Sequence, residues 1–233
     1  MADREWEGLT RWWLDELQSD PAYEELVTPT ILELVRASQG WKVLDVGCGD
    51  GRLMHRLAAA GARPIGVDAG MELLVLAAGV APVARVRLPS MGAIRDAAFD
   101  AAAVSLVLEH LEDEAAFLAE LGRVVRPGGR LALVLNHPIF TAPESAPIQE
   151  DDEVLWRPGR YFERGYTDEK AGTGAIRFYH RTMAELLNAA SDGGWDLERM
   201  VEMGVSDTQV DRSPALGQQR HIPRLLGVAW RRR

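Results

Sequence analysis

Cysteine is almost missing from the 233 residues, with Cys48 standing alone. That excludes an internal disulfide framework and a cysteine-built zinc site, and it fits a reducing cytoplasm. Lysine is nearly as scarce: Lys42 and Lys170 are the two lysines among 26 basic residues. The arginines gather into no stripe apart from the terminal Arg231-Arg232-Arg233, and 35 acidic residues bring the formal charge to −9. A chain with so little concentrated positive charge is not built to neutralise phosphates, so a general nucleic-acid or anionic-membrane binder is not expected. No apolar run approaches the ~18 residues needed to cross a bilayer, and no charged-then-apolar leader opens the chain. Repeats, low-complexity tracts and Gly/Ser linkers are lacking too, so no seam separates two domains. What is present, 47% hydrophobic and 26% charged residues, suffices for one domain of about this length.

The chain is organised by alternation. Trp6, Leu9, Trp12, Trp13, Leu14 and Leu17 have helical spacing, which predicts a helix over 5–18. Asp20-Pro21 and Thr28-Pro29 each read as an N-cap with a first-turn proline, predicting two further short helices before Gly40. From there strands are expected at 41–46, 64–67, 83–87, 99–106 and 130–135. Helices are expected between them at 51–60, 71–78 and 113–124, with Arg126-Pro127-Gly128-Gly129 as a turn into the fifth strand. Such βα alternation implies a parallel sheet covered by helices on both faces. The rhythm breaks over 137–180, where aromatic residues mix with charges and glycines, and this stretch reads as an inserted cap. It resumes with a helix at 182–190 and strands at 195–203 and 225–230. No helical pattern joins those two strands, which makes them an antiparallel pair. The expected architecture is therefore α/β: a Rossmann-like, doubly wound, seven-stranded sheet, mostly parallel with an antiparallel C-terminal strand. Its parts are N-terminal helices (1–40), a ligand-binding core (41–136), the cap (137–180) and a C-terminal helix with a strand pair (181–233).

Asp45-Val46-Gly47-Cys48-Gly49-Asp50-Gly51 lies where the first strand passes into the first helix, the ligand position of open α/β sheets. Glycines there let backbone amides approach a ligand, and the helix N-terminus offers unpaired N–H groups, so a nucleotide-like guest is expected. A dinucleotide fingerprint would need a third glycine three residues after Gly49. Arg52 stands there, which counts against a nicotinamide-dependent oxidoreductase.

This segment resembles motif I of the class I S-adenosylmethionine-dependent methyltransferases. Gly66-Val67-Asp68 resembles the family's acidic motif at the end of the second strand. Phe99–Leu106, Leu108-Glu109-His110-Leu111 and Arg126-Pro127-Gly128-Gly129 are similar to its landmarks around strands four and five. Together these cover about residues 41–136. Further on, His137-Pro138-Ile139 and Tyr179-His180-Arg181-Thr182 look like features of small-molecule enzymes related to the ubiquinone/menaquinone-biosynthesis group.

The resemblance implies S-adenosylmethionine as cofactor, S-adenosylhomocysteine as product and no metal. It places Gly47, Cys48 and Gly49 under the methionine part, Asp45 at the amino group, and Asp68 on the ribose hydroxyls, where a carboxylate can accept two hydrogen bonds from a diol. Ala69 and Met71 flank ribose and adenine, Leu88 belongs to the same region, and Ser105 and Leu106 reach the methionine portion. Tyr23 is a candidate for the cofactor carboxylate. Many relatives carry an acid before the Leu-Pro pair to receive the adenine amino group. This chain has Ala84-Arg85-Val86-Arg87 before Leu88-Pro89, so adenine falls to backbone groups and apolar packing.

Methyl transfer needs alignment more than side-chain chemistry, and a general base helps only where the acceptor must lose a proton. His110 and His137 are the candidate bases, each read alternatively as a cap or a pocket wall. His137, Tyr161, Tyr166 and His180 are candidates for the acceptor site, although the cap tyrosines, Tyr179 included, equally suit a miniature core. Trp6, Trp12 and Trp13 either close over the cofactor or pack their helix on the sheet. Cys48 reads as a small side chain that fits the loop rather than a nucleophile, and Glu150-Asp151-Asp152-Glu153 as a solvated face without metal-loop spacing. The leading reading is a cytoplasmic methyltransferase, monomer or homodimer, acting on a small molecule at oxygen, nitrogen or carbon. The alternatives are a nucleic-acid (tRNA) methyltransferase, or a protein that binds S-adenosylmethionine without catalysis.

Overall fold

A computed structural model describes residues 9–151 and 153–233. The chain enters through α1 (Thr10–Ser19), then a π-helical turn (Tyr23–Val27) that runs straight into α2 (Thr28–Val35). The core alternates β1 (Lys42–Val46), α3 (Arg52–Ala59), β2 (Arg63–Asp68), α4 (Met71–Ala77), β3 (Val83–Arg85), β4 (Phe99–Ser105), α5 (Glu114–Val124) and β5 (Val125–Asn136). There follow α6 (Pro138–Thr141) and two hairpins, β6 (Ala146–Glu150) with β7 (Glu153–Arg157) and β8 (Gly165–Ala171) with β9 (Gly174–His180). The chain ends in α7 (Met183–Asp192), β10 (Trp195–Met203), α8 (Asp207–Arg212) and β11 (Leu225–Arg232).

Seven strands form the main sheet in the order β10-β11-β5-β4-β1-β2-β3. The first five in sequence are mutually parallel, and β11 is antiparallel to both β5 and β10. Because successive side chains alternate across a strand, the apolar runs of β1, β4 and β5 serve two cores at once. Leu44, Ala102, Val104, Leu131 and Leu133 face Phe117, Leu118, Leu121 and Leu186 of α5 and α7. Val43, Ala101, Ala103, Ala132 and Val134 face Ile31, Leu34 and Val35 of α2 and Leu57 of α3. All of these are buried, which makes the sheet a rigid platform whose parallel strands end at one edge.

Some sequence expectations need correction. Thr28 is not an N-cap: its N–H bonds to Tyr23 O in the wide π turn, so the helix passes through Pro29 instead of restarting. The π turn accommodates a proline that has no N–H to give. Arg126-Pro127-Gly128-Gly129 is a bulge inside β5 rather than a separate turn, since the pairing with β4 jumps from Phe99↔Val125 to Ala101↔Arg130. The stretch between β10 and β11 contains α8, which buries no side chain and is held by a capping box between Ser206 and Gln209. A helix without an apolar face leaves no periodicity to read. The expected helix at 5–18 appears as Thr10–Ser19, while Trp6 lies outside the described residues.

Candidate active site

At the carboxyl end of β1 the chain turns sharply so that the amides of Gly47 and Cys48 both donate to Val67 O, at 2.8 and 3.0 Å. The turn requires φ +73° at Gly47, and a Cβ there would stand 2.3 Å from Val107 Cγ2. Only glycine meets both demands. Behind the loop, Cys48 is 6% exposed and packs with Met54 against Gly66, where a Cβ would come within 2.6 Å of its sulfur. Burial pushes its thiol pKa up, as an inert, space-filling residue requires.

The loop borders an open, solvent-accessible hollow. Gly47, Gly49, Asp68 and Ala69 line its floor. Ser105 and Leu106 close the β4 side, and Leu73, Val86 and Leu88 form an apolar wall. Leu106, just past the strand end, is held at φ +54°, an uncommon conformation for a leucine. Asp68 accepts from Gly49 N (2.9 Å) and Gly70 N (2.8 Å), tying the two loops together. Burial raises its pKa, and those amide bonds oppose the shift. Met71 stands apart from the hollow, 53% exposed on α4.

A shallower recess continues from this hollow past Gly47 and Gly49 to Asp45, Cys48, Asp50 and Tyr23. Asp45 is 1% exposed, and its Oδ2 has no hydrogen-bond partner among the described residues. Desolvation, reinforced by the nearby negative charges of Asp68 and Asp50, pushes its pKa up to about 8. An orphaned buried carboxyl oxygen in an acidic corner calls for a cationic donor such as an ammonium group. The donor set therefore fits the two ends of S-adenosylmethionine: an acid aimed at its amino group and an acid with backbone support for its ribose diol.

A second hollow, about 790 Å³, lies under α1 and the β8/β9 hairpin. Leu9, Ala171 and Ile176 pack together with Trp12 and Phe178, which fixes this roof. Trp13, Leu106 and His110 line both hollows, and Trp13 also meets Tyr23 edge-on at 5.8 Å. His110 sits on a 3-10 turn (Leu108–His110), its ring 4.7 Å from that of Phe178 and its Nδ1 2.9 Å from Arg177 O.

The other candidates lie elsewhere. His137 lines neither hollow: its Nδ1 accepts from Ile139 N as the N-cap of α6, and its Nε2 bonds Glu202 at 2.9 Å. Burial lowers its pKa despite Glu202, so it is a neutral structural pin. His180 does not begin a helix. It ends β9, 2% exposed, between Thr141 Oγ1 (3.0 Å) and Tyr161 O (2.8 Å), and Thr182 caps α7 instead. Tyr161 accepts from Met183 N and packs on His180, which is the miniature-core role. Tyr166, 53% exposed, lies under the Arg177 guanidinium. Of the acidic run, Glu150, Asp151 and Glu153 are exposed and Asp152 lies outside the described residues. Among the described residues no group of three His, Cys, Asp or Glu could hold a metal. Sequence reasoning missed Glu109 and Asn136 as linings of the second hollow, because only the folded cap shows where that hollow is.

The mostly parallel open sheet thus carries a glycine loop after its first strand and an acid at the end of its second. Residues 44–133 match the family model described as "Methyltransferase domain". That segment belongs to the methyltransferase-domain family. The chain is 30% identical over 228 residues, 94% of its length, to an uncharacterised 37.1 kDa protein in a transposon of Streptomyces fradiae, of which it covers 61%. It is 33% identical over 131 residues to the ubiquinone biosynthesis O-methyltransferase of Hahella chejuensis, covering 52% of this chain and 54% of that one. It thus spans roughly half to three fifths of these two curated relatives. Among solved structures, an S-adenosylmethionine-dependent methyltransferase of Mesorhizobium loti superposes with TM-score 0.78 at 24% identity, over 93% of this chain and all (100%) of that one.

Proposed function

We propose that this chain transfers a methyl group from S-adenosylmethionine to a small molecule held beneath α1 and the β8/β9 hairpin, at oxygen, nitrogen or carbon. The observation that carries the reading is the shared wall: Trp13, Leu106 and His110 border both the glycine-loop hollow and the roofed one. When bound, S-adenosylmethionine supplies an activated methyl group on a sulfonium. Asp45 holds the amino end, Asp68 the ribose and the Leu73, Val86 and Leu88 wall the adenine, while Tyr23 stands near the carboxylate end. The protein's main contribution is alignment, worth up to ~7–11 kcal/mol where the geometry is well set.

His110 supplies proton transfer where the acceptor needs it. Its Nδ1–H donates to Arg177 O, which in the neutral ring makes Nε2 the basic nitrogen. A base so placed adds ~10²–10⁴-fold. The single buried cysteine suits a reducing compartment, and we place the protein in the cytoplasm.

Thermal unfolding with S-adenosylhomocysteine tests the donor site. At 100 times the dissociation constant the ligand adds ~2.7 kcal/mol, raising the midpoint by ~5–11 °C. Asp68→Ala should weaken affinity by ~1.5–3 kcal/mol, and NADH should give no shift. Methyl-labelled S-adenosylmethionine then tests the acceptor: label is expected in a small molecule of a cell extract that separates chromatographically from S-adenosylmethionine and is missing without the protein. Label in tRNA would support the nucleic-acid alternative, and binding without transfer to any fraction would indicate a non-catalytic binding protein.

A further inference from the structure

Glu109 is 1% exposed and lines the roofed hollow. Its Oε1 accepts from the backbone N (3.2 Å) and side-chain Nδ2 (2.9 Å) of Asn136, which fixes the carboxylate against the end of β5. Its Oε2 has no partner among the described residues. A buried carboxylate oxygen left unmet is costly, and such sites are filled by a donor from water, protein or ligand. Charge is not what is missing, because the buried guanidinium of Arg181 already feels the Glu109 carboxylate. The missing element is a hydrogen. The aromatic side chains of Trp12, Trp13 and Phe178 line the same hollow, and the neighbouring residue on the same turn is His110, the wall shared with the donor hollow.

We propose that Glu109 is the acceptor-recognition residue and that it receives an O–H or N–H of a flat, largely apolar acceptor molecule. This rests on the methyltransferase reading of the two hollows. It narrows the acceptor class to aromatic or similarly planar molecules carrying a protic heteroatom. It excludes quaternary ammonium compounds and bare hydrocarbons, which have no hydrogen to give. Glu109 and His110 stand side by side on one turn, so recognition and proton removal fall to adjacent residues.

Indole and N-methylindole are matched probes, since they share the flat ring and differ in the N–H. Ligand-observed NMR titration of the whole chain, saturated with S-adenosylhomocysteine, is expected to show indole binding at least ~10-fold tighter than N-methylindole. Glu109→Gln keeps an oxygen for Asn136 and loses the charged acceptor. It is expected to abolish that preference while leaving the S-adenosylhomocysteine affinity unchanged. Equal binding of the two probes to the wild type, binding of neither, or a preference that survives in Glu109→Gln and so is steric, would each overturn the proposal. Failure of the wild type to bind S-adenosylhomocysteine on the same sample would instead overturn the methyltransferase reading, and this proposal with it.

Discussion

Replacing Asp45 by asparagine separates the cost of its burial from its use. In the protein without ligand the carboxyl is 1% exposed and its pKa is pushed from the ordinary 3.8 up to about 8. A folded pKa above the unfolded one means that the folded chain holds the extra proton. The stability this brings is fully present below 3.8 and is lost as pH rises to about 8. At ~1.4 kcal/mol per pH unit the window amounts to on the order of 5 kcal/mol. Asparagine does not titrate, but its amide nitrogen meets the same missing partner as Oδ2 and costs ~1–3 kcal/mol at every pH. The two stability curves should therefore approach or cross. Between about pH 5 and about pH 8.5 the variant should gain ~2–4 kcal/mol on the wild type in urea unfolding without ligand. Saturating S-adenosylhomocysteine, whose ammonium favours the charged carboxylate, should flatten the wild-type slope, and the variant should bind it more weakly. A difference between variant and wild type that stays within ~1 kcal/mol across that range would refute the reading of Asp45 as a destabilised acid awaiting a cation.

Two further substitutions test the frame around the site. Gly47→Ala meets both a φ of +73° and a 2.3 Å approach to Val107 Cγ2. It should cost ~2–3 kcal/mol of stability, and Val107→Ala in the same chain should restore only the part due to the contact, leaving the ~1–2 kcal/mol of backbone strain. Thr182→Ala removes a capping box in which Thr182 Oγ1 accepts from Glu185 N and Glu185 Oε2 accepts from Thr182 N. Urea unfolding should show a loss of ~1 kcal/mol, with S-adenosylhomocysteine affinity unchanged.

What could be read from the sequence and what could not divide along a physical line. Val43, Leu44, Ala101, Ala102, Ala132 and Leu133 are buried on both faces of the sheet, so their strands appear as unbroken apolar runs that need no tertiary knowledge. The donor loop was equally visible, because a chain that must turn at Gly47 and pass Val107 so closely tolerates little else there. The cap was not. Its hairpins leave Phe162, Leu155 and Ile148 exposed and pair Gly165–Ala171 with Gly174–His180 across mixed polar residues, so neither period two nor period 3.6 stands out. The histidines show the same limit: by sequence His110 and His137 are the candidate bases and His180 an acceptor-site candidate, and of the three it is His110 that lines the two hollows. The other two have both ring nitrogens bonded to their own fold. Glu109 is the converse case, legible as part of a family-like signature but given a purpose only when β5, the turn after β4 and the β8/β9 roof meet. Its Oε1 is bonded to Asn136, and its Oε2 has no partner among the described residues. The loop after β1 is written in local backbone geometry, whereas the roofed hollow is written in contacts between residues far apart in the chain. That is why the same sequence declares the one and withholds the other.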